Sequence, residues 1–365
     1  MKTKPPFTFL ILLLATCLFG QRNLGELLKK PMPDWPTATL EEVGIQGDTI
    51  RRLVNLIGNA QPNDFRGVVV IKDHKIVLEE YFNTYWRETV HDIRSAGKSV
   101  TSMLIGIAID KGFVKGIDQP IMDFFTKEKA TFKISKQVED ITIKDILTMS
   151  SGLDADANDI NSKGNELYLL ASDDWVKFAL QLPTAFEKGR QYRYNSVCAM
   201  LAGAIIENAT GMQLSAFADQ YLFGPLGINN YYWYAGPHHR TAGMGNIYFT
   251  AFDFAKLGVL LTQNGQWEGK QIISQSWIKD MFTKHLDISA QDPFGDGYGY
   301  LWYISSKEVN NKAYTYFYAS GNGGNKLYVV PELDLVVSIL SSAYGRGYGH
   351  GRAENIFQLI LQSVE

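Results

Sequence analysis

Two residues, Ser95 and Lys98, have the types and the spacing of a nucleophile and its base. They occur in the stretch HDIRSAGKSVTSMLIGIAID, where polar residues lead into an apolar run. Residues three apart share one face of a helix, so this spacing brings the Lys98 amine within reach of the Ser95 hydroxyl. The free N–H groups at a helix N-terminus would also stabilise negative charge on the serine oxygen.

A lysine acts as a base only while its amine is uncharged. Burial against apolar side chains disfavours the charged form, and an uncharged Lys98 would be able to take the proton of Ser95. The pattern Ser-x-x-Lys is short, however, and a second copy occurs at Ser276 and Lys279 in a polar stretch. On spacing alone, a solvated helix start explains Ser95 and Lys98 equally well.

The elements that must position this pair follow from hydrophobic periodicity. Apolar residues at helical spacing predict helices over about 49–60, 96–111 and 353–364. Stretches rich in β-branched and aromatic residues predict strands within 67–82 and 313–342. Strands from both chain ends most simply form one antiparallel sheet with helices on its faces, and the mainly helical region at about 120–285 is then an insertion. The predicted fold class is α/β, arranged as an α+β sandwich.

Composition favours one large soluble domain or two closely packed ones. The chain has 365 residues, of which 45% are hydrophobic, and a formal charge of −3. Without a basic excess, neither nucleic acid nor an acidic membrane surface is an expected partner.

Residues 1–20 have the pattern of an export signal. Two lysines precede an apolar run of roughly a dozen residues, which is too short for a comfortable membrane span. Cys17 lies in LATC, which is similar to a bacterial lipoprotein box, so Cys17 is also a candidate lipid acceptor. We expect a protein exported to the bacterial periplasm or the medium, with a membrane-anchored lipoprotein as the alternative. Cys198 lies in an apolar helical pattern and is expected to be a buried structural thiol.

Further segments agree, in order and spacing, with a known superfamily. They are ITIKDILTMSSGLD at 141–154, FEKGRQYRYNSVCAMLAGAIIENATG at 186–211, YLFGPLGI at 221–228 and YASGNGGNKLYVVPELDLVV at 318–337. With the stretch around Ser95, this series resembles the serine β-lactamase and penicillin-binding-protein superfamily. It is most similar to class C β-lactamase-like esterases and amidases, particularly 6-aminohexanoate-dimer hydrolases. The resemblance covers nearly all of 21–365. It implies a β-lactamase/transpeptidase-like fold and a serine hydrolase of small esters or amides, without metal or cofactor.

The resemblance also assigns roles to residues. Its Ser-x-x-Lys element falls on Ser95, as the acyl-accepting nucleophile, and on Lys98, as the base. Its second element, Tyr-x-Asn, falls on residues 194–196, and Tyr194 is expected to move protons among Ser95, the leaving group and the attacking water. Ser196 stands where many relatives have Asn, which alters any substrate hydrogen bond made from that position.

The third element, Lys-Thr-Gly or His-x-Gly in relatives, falls on residues 319–321. In β-lactamases and transpeptidases the lysine helps to bind a substrate carboxylate, a charge-assisted contact that Ala319 cannot make. The oxyanion hole is expected from the backbone N–H groups of Ser95 and Asn322. Gly321 would let the backbone approach closely, and Ser320 and Ser196 are further candidate substrate-binding residues.

Several alternatives stay open. The protein is a β-lactamase or D-Ala-D-Ala carboxypeptidase if another cation replaces the missing lysine, and the candidates are Lys326, Arg346 and Arg352. It is a ligand-binding or sensor domain if the site is inactive. Tyr192 is a weaker choice than Tyr194 and is expected to pack. For His91 a surface or capping role is favoured over one at the edge of the cleft. Residues 344–352 are expected to be flexible and basic, and either to gate the cleft or only to connect the last strand to the last helix.

Overall fold

A computed structural model describes residues 35–365 of the chain, so the predicted export signal and Cys17 lie outside the described residues. The α-helices are Gly47–Gly58 (α1), Gly97–Asp110 (α2), Thr126–Thr131 (α3), Lys136–Glu139 (α4), Ile143–Leu147 (α5), Glu166–Ala171 (α6), Trp175–Leu180 (α7), Ser196–Thr210 (α8), Leu214–Ala218 (α9), Ala251–Thr262 (α10), Gln275–Met281 (α11) and Tyr348–Gln362 (α12). The strands are Phe65–Lys72 (β1), Lys75–Tyr81 (β2), His91–Asp92 (β3), Tyr232–Trp233 (β4), Ile247–Phe249 (β5), Gln266–Trp267 (β6), Lys270–Gln271 (β7), Leu286–Asp287 (β8), Gly297–Tyr298 (β9), Tyr303–Val309 (β10), Lys312–Gly321 (β11), Asn325–Val330 (β12) and Leu335–Ser341 (β13).

Eight of these strands form one antiparallel sheet, in the order β2-β1-β13-β12-β11-β10-β9-β8. Strands from the first and last parts of residues 35–365 pair near one edge of this sheet, where Val69 of β1 lies opposite Ser338 of β13. The predicted antiparallel sheet is therefore confirmed. The sheet also extends beyond the predicted strand regions, because β8, β9 and β10 precede residue 313. Strands of two residues, such as β8 and β9, are too short to produce a readable alternation.

Helices cover both faces of the sheet. On β12, the Leu327 side chain packs on Gly258 of α10, whereas the Tyr328 hydroxyl donates to Glu354 of α12 at 2.9 Å. Because successive side chains of a strand point to opposite faces, α10 and α12 lie on opposite sides of the sheet. The region between β3 and β8 is mainly helical, in agreement with the predicted insertion.

Helices α1 and α2 occupy nearly the predicted ranges, but α12 begins five residues earlier than expected. The expectation of a flexible connection over 344–352 is therefore wrong for its second half. Gly349, in the first turn of α12, packs backbone to backbone on Gly323, where an added Cβ would lie 2.8 Å from the carbonyl oxygen. This tertiary contact stabilises a helix start that the local composition disfavours.

No single helix within residues 35–365 combines the length and the apolar composition of a membrane span. The bent pair Ser196–Thr210 and Leu214–Phe223 reaches both only when its two parts are taken together.

Helix α2 crosses the interior and is buried from Gly97 to Ala108. Where α11 crosses it, Gly106 lies directly against Trp277, and a Cβ at position 106 would be 2.1 Å from Cδ1 of the indole. The indole is itself buried and stacks on Tyr300, so it has little room to move. A glycine in the middle of α2 is therefore a packing requirement.

We predict that Gly106→Ala lowers the free energy of unfolding by about 1–3 kcal/mol, because the added methyl group overpacks the contact with Trp277. Gly351→Ala in α12 is the matched control, since its Cβ would meet nothing closer than Phe294, at 4.0 Å. The control should be neutral or stabilising by up to about 1 kcal/mol, the usual gain in helix propensity. Urea unfolding of both variants tests this, and equal effects would contradict it.

Candidate active site

Ser95 lies in a short 3₁₀ turn, Arg94–Ala96, that leads directly into α2. Lys98 follows in the first turn of the helix, and its Nζ donates to Ser95 Oγ at 3.0 Å. Lys98 is only 2% exposed, whereas Ser95 is half-buried and reachable. The structure therefore brings together the pair that the spacing predicted and seals its amine from solvent.

The second Ser-x-x-Lys pair behaves differently. Ser276 and Lys279 are both exposed on α11, and the Ser276 hydroxyl donates to Ser274 Oγ at 3.2 Å. A solvated helix start is thus the correct interpretation for this pair, and burial distinguishes it from Ser95 and Lys98.

The second anchor of the lysine is the backbone carbonyl of Met244, which accepts from Lys98 Nζ at 2.9 Å. Sequence reasoning missed this residue, because the contact spans 146 positions of the chain. The flanking glycines were the available signal. A Cβ on Gly245 would lie 2.6 Å from the Arg94 carbonyl oxygen, and a Cβ on Gly97 would lie 2.9 Å from the Cα of Gly245. Only glycines allow the two backbones to approach this closely.

Tyr194 directly precedes the N-cap residue of α8. The Asn195 side chain caps this buried helix by accepting from the Cys198 N–H at 2.8 Å. Lys98 Nζ lies 5.1 Å from the centre of the Tyr194 ring, so this ring is next to the predicted base. Tyr192 is 9% exposed, and its ring packs on Tyr298 at 4.9 Å, as expected for a packing residue.

Ser196, two residues after Tyr194, is buried, and its hydroxyl donates to Glu166 of α6 at 2.7 Å. The hydroxyl thus already has an acidic partner inside the protein. Its substrate contact stays a prediction. Glu166 is half-buried and is a neighbour that sequence reasoning did not identify.

The end of β11 lies against the nucleophile turn. A Cβ on Gly321 would stand 1.9 Å from the Ile93 carbonyl oxygen and 3.1 Å from the Ala96 nitrogen, so the position has room for glycine only. Asn322 follows immediately. Within residues 35–365, no turn or loop hydrogen bond uses the backbone N–H of Ser95 or of Asn322. Both predicted oxyanion donors are therefore near each other, and their role stays a prediction.

Ser320 and Lys326 lie directly opposite each other on β11 and β12. They share the face of Tyr328, which is covered by α12, whereas the next position, Gly321, meets the Ser95 turn. The Ser320 side chain is therefore on the other side of the strand from Ser95, and its substrate contact stays a prediction.

Two of the three candidate replacement cations are engaged with other groups of the protein. Lys326 is 1% exposed and lies over the Tyr318 ring at 4.3 Å. Arg352 pairs with Asp64 at 2.6 Å. Arg346 is exposed in the connection before α12. The first two are thus engaged inside the protein.

His91 differs from the expectation of a surface or capping role. It is buried, its Nε2 lies 3.1 Å from the Ser341 carbonyl oxygen, and burial lowers its pKa to about 4. Cys198 is a buried thiol, as expected, and burial raises its pKa to about 11. Across residues 35–365, no three His, Cys, Asp or Glu side chains converge in the manner of a metal site. The expectation of chemistry without a metal or cofactor stays a prediction.

This fold and this serine–lysine pair define a β-lactamase-like serine hydrolase. The chain matches the family model described as "Beta-lactamase" over residues 56–360 and therefore belongs to that family.

Known proteins similar to this chain include hydrolases of different kinds. A "Putative D-alanyl-D-alanine carboxypeptidase" of Salmonella paratyphi B is 26% identical over 219 residues, 54% of this chain and 50% of that protein. The chain spans about half the length of the curated relatives it matches.

Solved structures establish the fold. A "Putative 6-aminohexanoate-dimer hydrolase from Bacillus anthracis" superposes with a TM-score of 0.70 at 19% identity, covering 89% of this chain and 86% of that one. A family VIII carboxylesterase superposes with a TM-score of 0.65 at 16% identity, covering 86% and 97%.

Lys326 provides a test of buried charge on the α12 side of the sheet. Burial lowers its pKa from 10.5 to about 8. Below pH 8 the amine is charged in both the folded and the unfolded protein, so the folded protein carries the full free-energy cost of burying the charge. Above pH 10.5 the amine is uncharged in both states, and this cost disappears. We predict that Lys326→Met raises the free energy of unfolding by roughly 2–4 kcal/mol at pH 7.

This gain should shrink as the pH rises from 8 towards 10.5. Exposed Lys279→Met is the control, with little effect at any pH. Chemical unfolding of the three proteins at pH 7 and pH 10 measures the difference, and a Lys326→Met effect independent of pH would refute this account.

Proposed function

We propose that this protein hydrolyses esters or small amides through an acyl-enzyme formed on Ser95. The observation that carries the proposal is the buried Lys98 amine, 3.0 Å from Ser95 Oγ and 5.1 Å from the Tyr194 ring centre. A serine becomes a nucleophile only when a neighbouring base takes its proton, and a sealed amine at hydrogen-bonding distance meets that requirement.

Acylation requires a lone pair on the Lys98 nitrogen. This nitrogen accepts the Ser95 proton while Oγ bonds to the carbonyl carbon of the substrate. The carbonyl electrons move to oxygen, and the backbone N–H groups of Ser95 and Asn322 stabilise this oxyanion. The intermediate then collapses and breaks the bond to the leaving group, which takes a proton through Tyr194 while Lys98 returns its proton to Tyr194.

Deacylation repeats these steps with water. Tyr194 and Lys98 together take a proton from the water, whose oxygen attacks the acyl carbon. Collapse of the second intermediate releases the acid and returns the proton to Ser95 Oγ. Tyr194 suits this role because its half-buried ring lies beside the Lys98 amine, and a phenol can both give and take a proton.

The substrate class is inferred from position 319, where alanine replaces the lysine with which β-lactamases and transpeptidases bind a substrate carboxylate. Ala319 has no charge, Lys326 is buried on the α12 side and Arg352 is paired with Asp64. This arrangement favours acyl groups without a carboxylate beside the scissile bond, hence simple esters and small amides. The signal-like residues 1–20 lead us to propose export to the bacterial periplasm or the medium, with attachment through Cys17 as the alternative.

A D-Ala-D-Ala carboxypeptidase or β-lactamase is the second candidate. The curated relatives, of which this chain covers about half, are described as "Putative D-alanyl-D-alanine carboxypeptidase". Hydrolysis of a p-nitrophenyl ester, measured beside nitrocefin and a D-Ala-D-Ala peptide, separates the candidates. We expect turnover of the ester. Faster turnover of nitrocefin or the peptide would replace our proposal with the second candidate.

We predict that a fluorophosphonate probe labels the wild-type protein once and that Ser95→Ala abolishes the adduct. Ester hydrolysis should fall about a thousandfold or more, because the nucleophile is removed. Ser276→Ala, the exposed serine of the other Ser-x-x-Lys pair, is the matched control and should be labelled normally. Intact mass spectrometry reads out all three proteins. An adduct that persists in Ser95→Ala would assign another nucleophile, and an unlabelled wild type would indicate a ligand-binding or sensor domain.

Tyr194→Phe should lower kcat for the ester by about 100-fold or more, because the ring remains while the proton-transferring hydroxyl is lost. Tyr192→Phe is the control and should keep kcat within about threefold, since that ring packs in the interior. Steady-state kinetics on both variants test the assignment. A larger loss in Tyr192→Phe would transfer the role to Tyr192.

A further inference from the structure

The residue before the nucleophile has an unusual backbone conformation. Arg94 has φ of +54°, in the left-handed region that side chains other than glycine seldom adopt. Such a conformation persists only where its surroundings impose it, and these positions cluster at functional sites. Arg94 also directly precedes Ser95, whose backbone N–H is one of the two predicted oxyanion donors.

Asp92 holds this backbone from one side. Its Oδ1 accepts the Arg94 N–H at 2.8 Å, and its Oδ2 lies 3.1 Å from Arg94 Nε. Asn246 donates to the same carboxylate at 3.3 Å, and the Asp92 side chain is only 5% exposed. One buried carboxylate therefore restrains both the main chain and the side chain of Arg94.

Tyr344 holds the guanidinium from the other side. The Arg94 guanidinium carbon lies over the Tyr344 ring at 4.5 Å, and the Tyr344 hydroxyl donates to the Asp92 carbonyl at 3.2 Å. The hydroxyl is also 3.0 Å from the Nε2 of buried His91. The ring is thus fixed in place beneath the cation.

The same ring reaches the turn that follows β11. A Cβ on Gly323 would lie 2.8 Å from the Tyr344 ring, and Asn322 Oδ1 accepts the Gly345 N–H at 2.9 Å. The stack of Arg94 on Tyr344 therefore connects two segments far apart in the chain. One contributes the Ser95 N–H to the predicted oxyanion hole and the other contributes the Asn322 N–H.

We propose that Arg94, clamped between Asp92 and Tyr344, is a positioning residue of the oxyanion hole. It sets the spacing of the two N–H donors by holding the Ser95 turn against the segment that follows β11. Preorganised donors act on the charge that appears in the transition state, so loss of the clamp lowers kcat and leaves KM nearly unchanged. This inference rests on the proposed function of Ser95.

The test compares ester hydrolysis by the wild type with that by Arg94→Gln, Arg94→Gly and Arg94→Lys. Arg94→Gln removes only the guanidinium, whereas Arg94→Gly also relieves the backbone strain at this position. Comparison of the two variants therefore separates the effect of the side chain from that of the strain. We expect both Arg94→Gln and Arg94→Gly to lower kcat by about 10- to 100-fold, with KM within about twofold of the wild type. Arg94→Lys should recover part of kcat, because the ammonium keeps the charge and a partner for Asp92.

Arg52→Gln is the matched control, since Arg52 is an exposed arginine of α1 outside the site, and it should behave as the wild type. The thermal midpoint of each variant is measured beside the kinetics. Wild-type kcat in Arg94→Gly or Arg94→Gln would overturn the inference. So would kcat losses that follow the thermal midpoint, with no rescue in Arg94→Lys, since that pattern indicates a structural role only.

Fluorophosphonate labelling of the same variants separates this inference from the proposed function. If the probe labels the wild type and Arg94→Gln hydrolyses the ester with the wild-type kcat, the positioning role of Arg94 is rejected and the proposed serine hydrolase function stands. A wild type that is neither labelled nor active overturns the proposed function, and the role of Arg94 with it.

Discussion

The structure depends on one contact, a primary amine removed from water and held between a serine oxygen and a backbone carbonyl. An amine buried without partners is strongly destabilising, so Lys98 is tolerated inside only because Ser95 Oγ and the Met244 carbonyl both accept from it. The carbonyl comes from a distant segment that must lie directly on the first turn of α2. The glycines at that crossing, Gly97 and Gly245, are therefore as necessary to the site as the lysine.

The remaining parts of the site are positioned by the same kind of close backbone approach. Gly321 brings the end of β11 onto the Ile93 carbonyl, and the N-cap of α8 holds Tyr194 beside the amine. None of these contacts is large in area. They are specific because each leaves no room for a Cβ or uses the end of a buried helix. Ser95 itself stays half-buried, whereas the Lys98 amine next to it is buried.

Local patterns predicted more of the fold than of the site's surroundings. The antiparallel sheet from both chain ends, α1 and α2 were all readable from periodicity, because each depends on residues a few positions apart. The early start of α12 was not readable, since Gly349 is helical only through its packing on Gly323. His91 was assigned to the surface for a related reason: the carbonyl of Ser341 that receives it lies 250 residues away.

The sequence by itself determined that a serine and a lysine face each other across one turn, because three-residue spacing on a helix needs no other part of the chain. It also determined the sheet and the resemblance through which Tyr194 and Asn322 were named. Only the tertiary structure decided which of the two Ser-x-x-Lys pairs has its lysine buried away from solvent. Ser276 and Lys279 have the same spacing and are solvated. Water is excluded from a helix by the residues that pack over it, and these residues come from other parts of the chain.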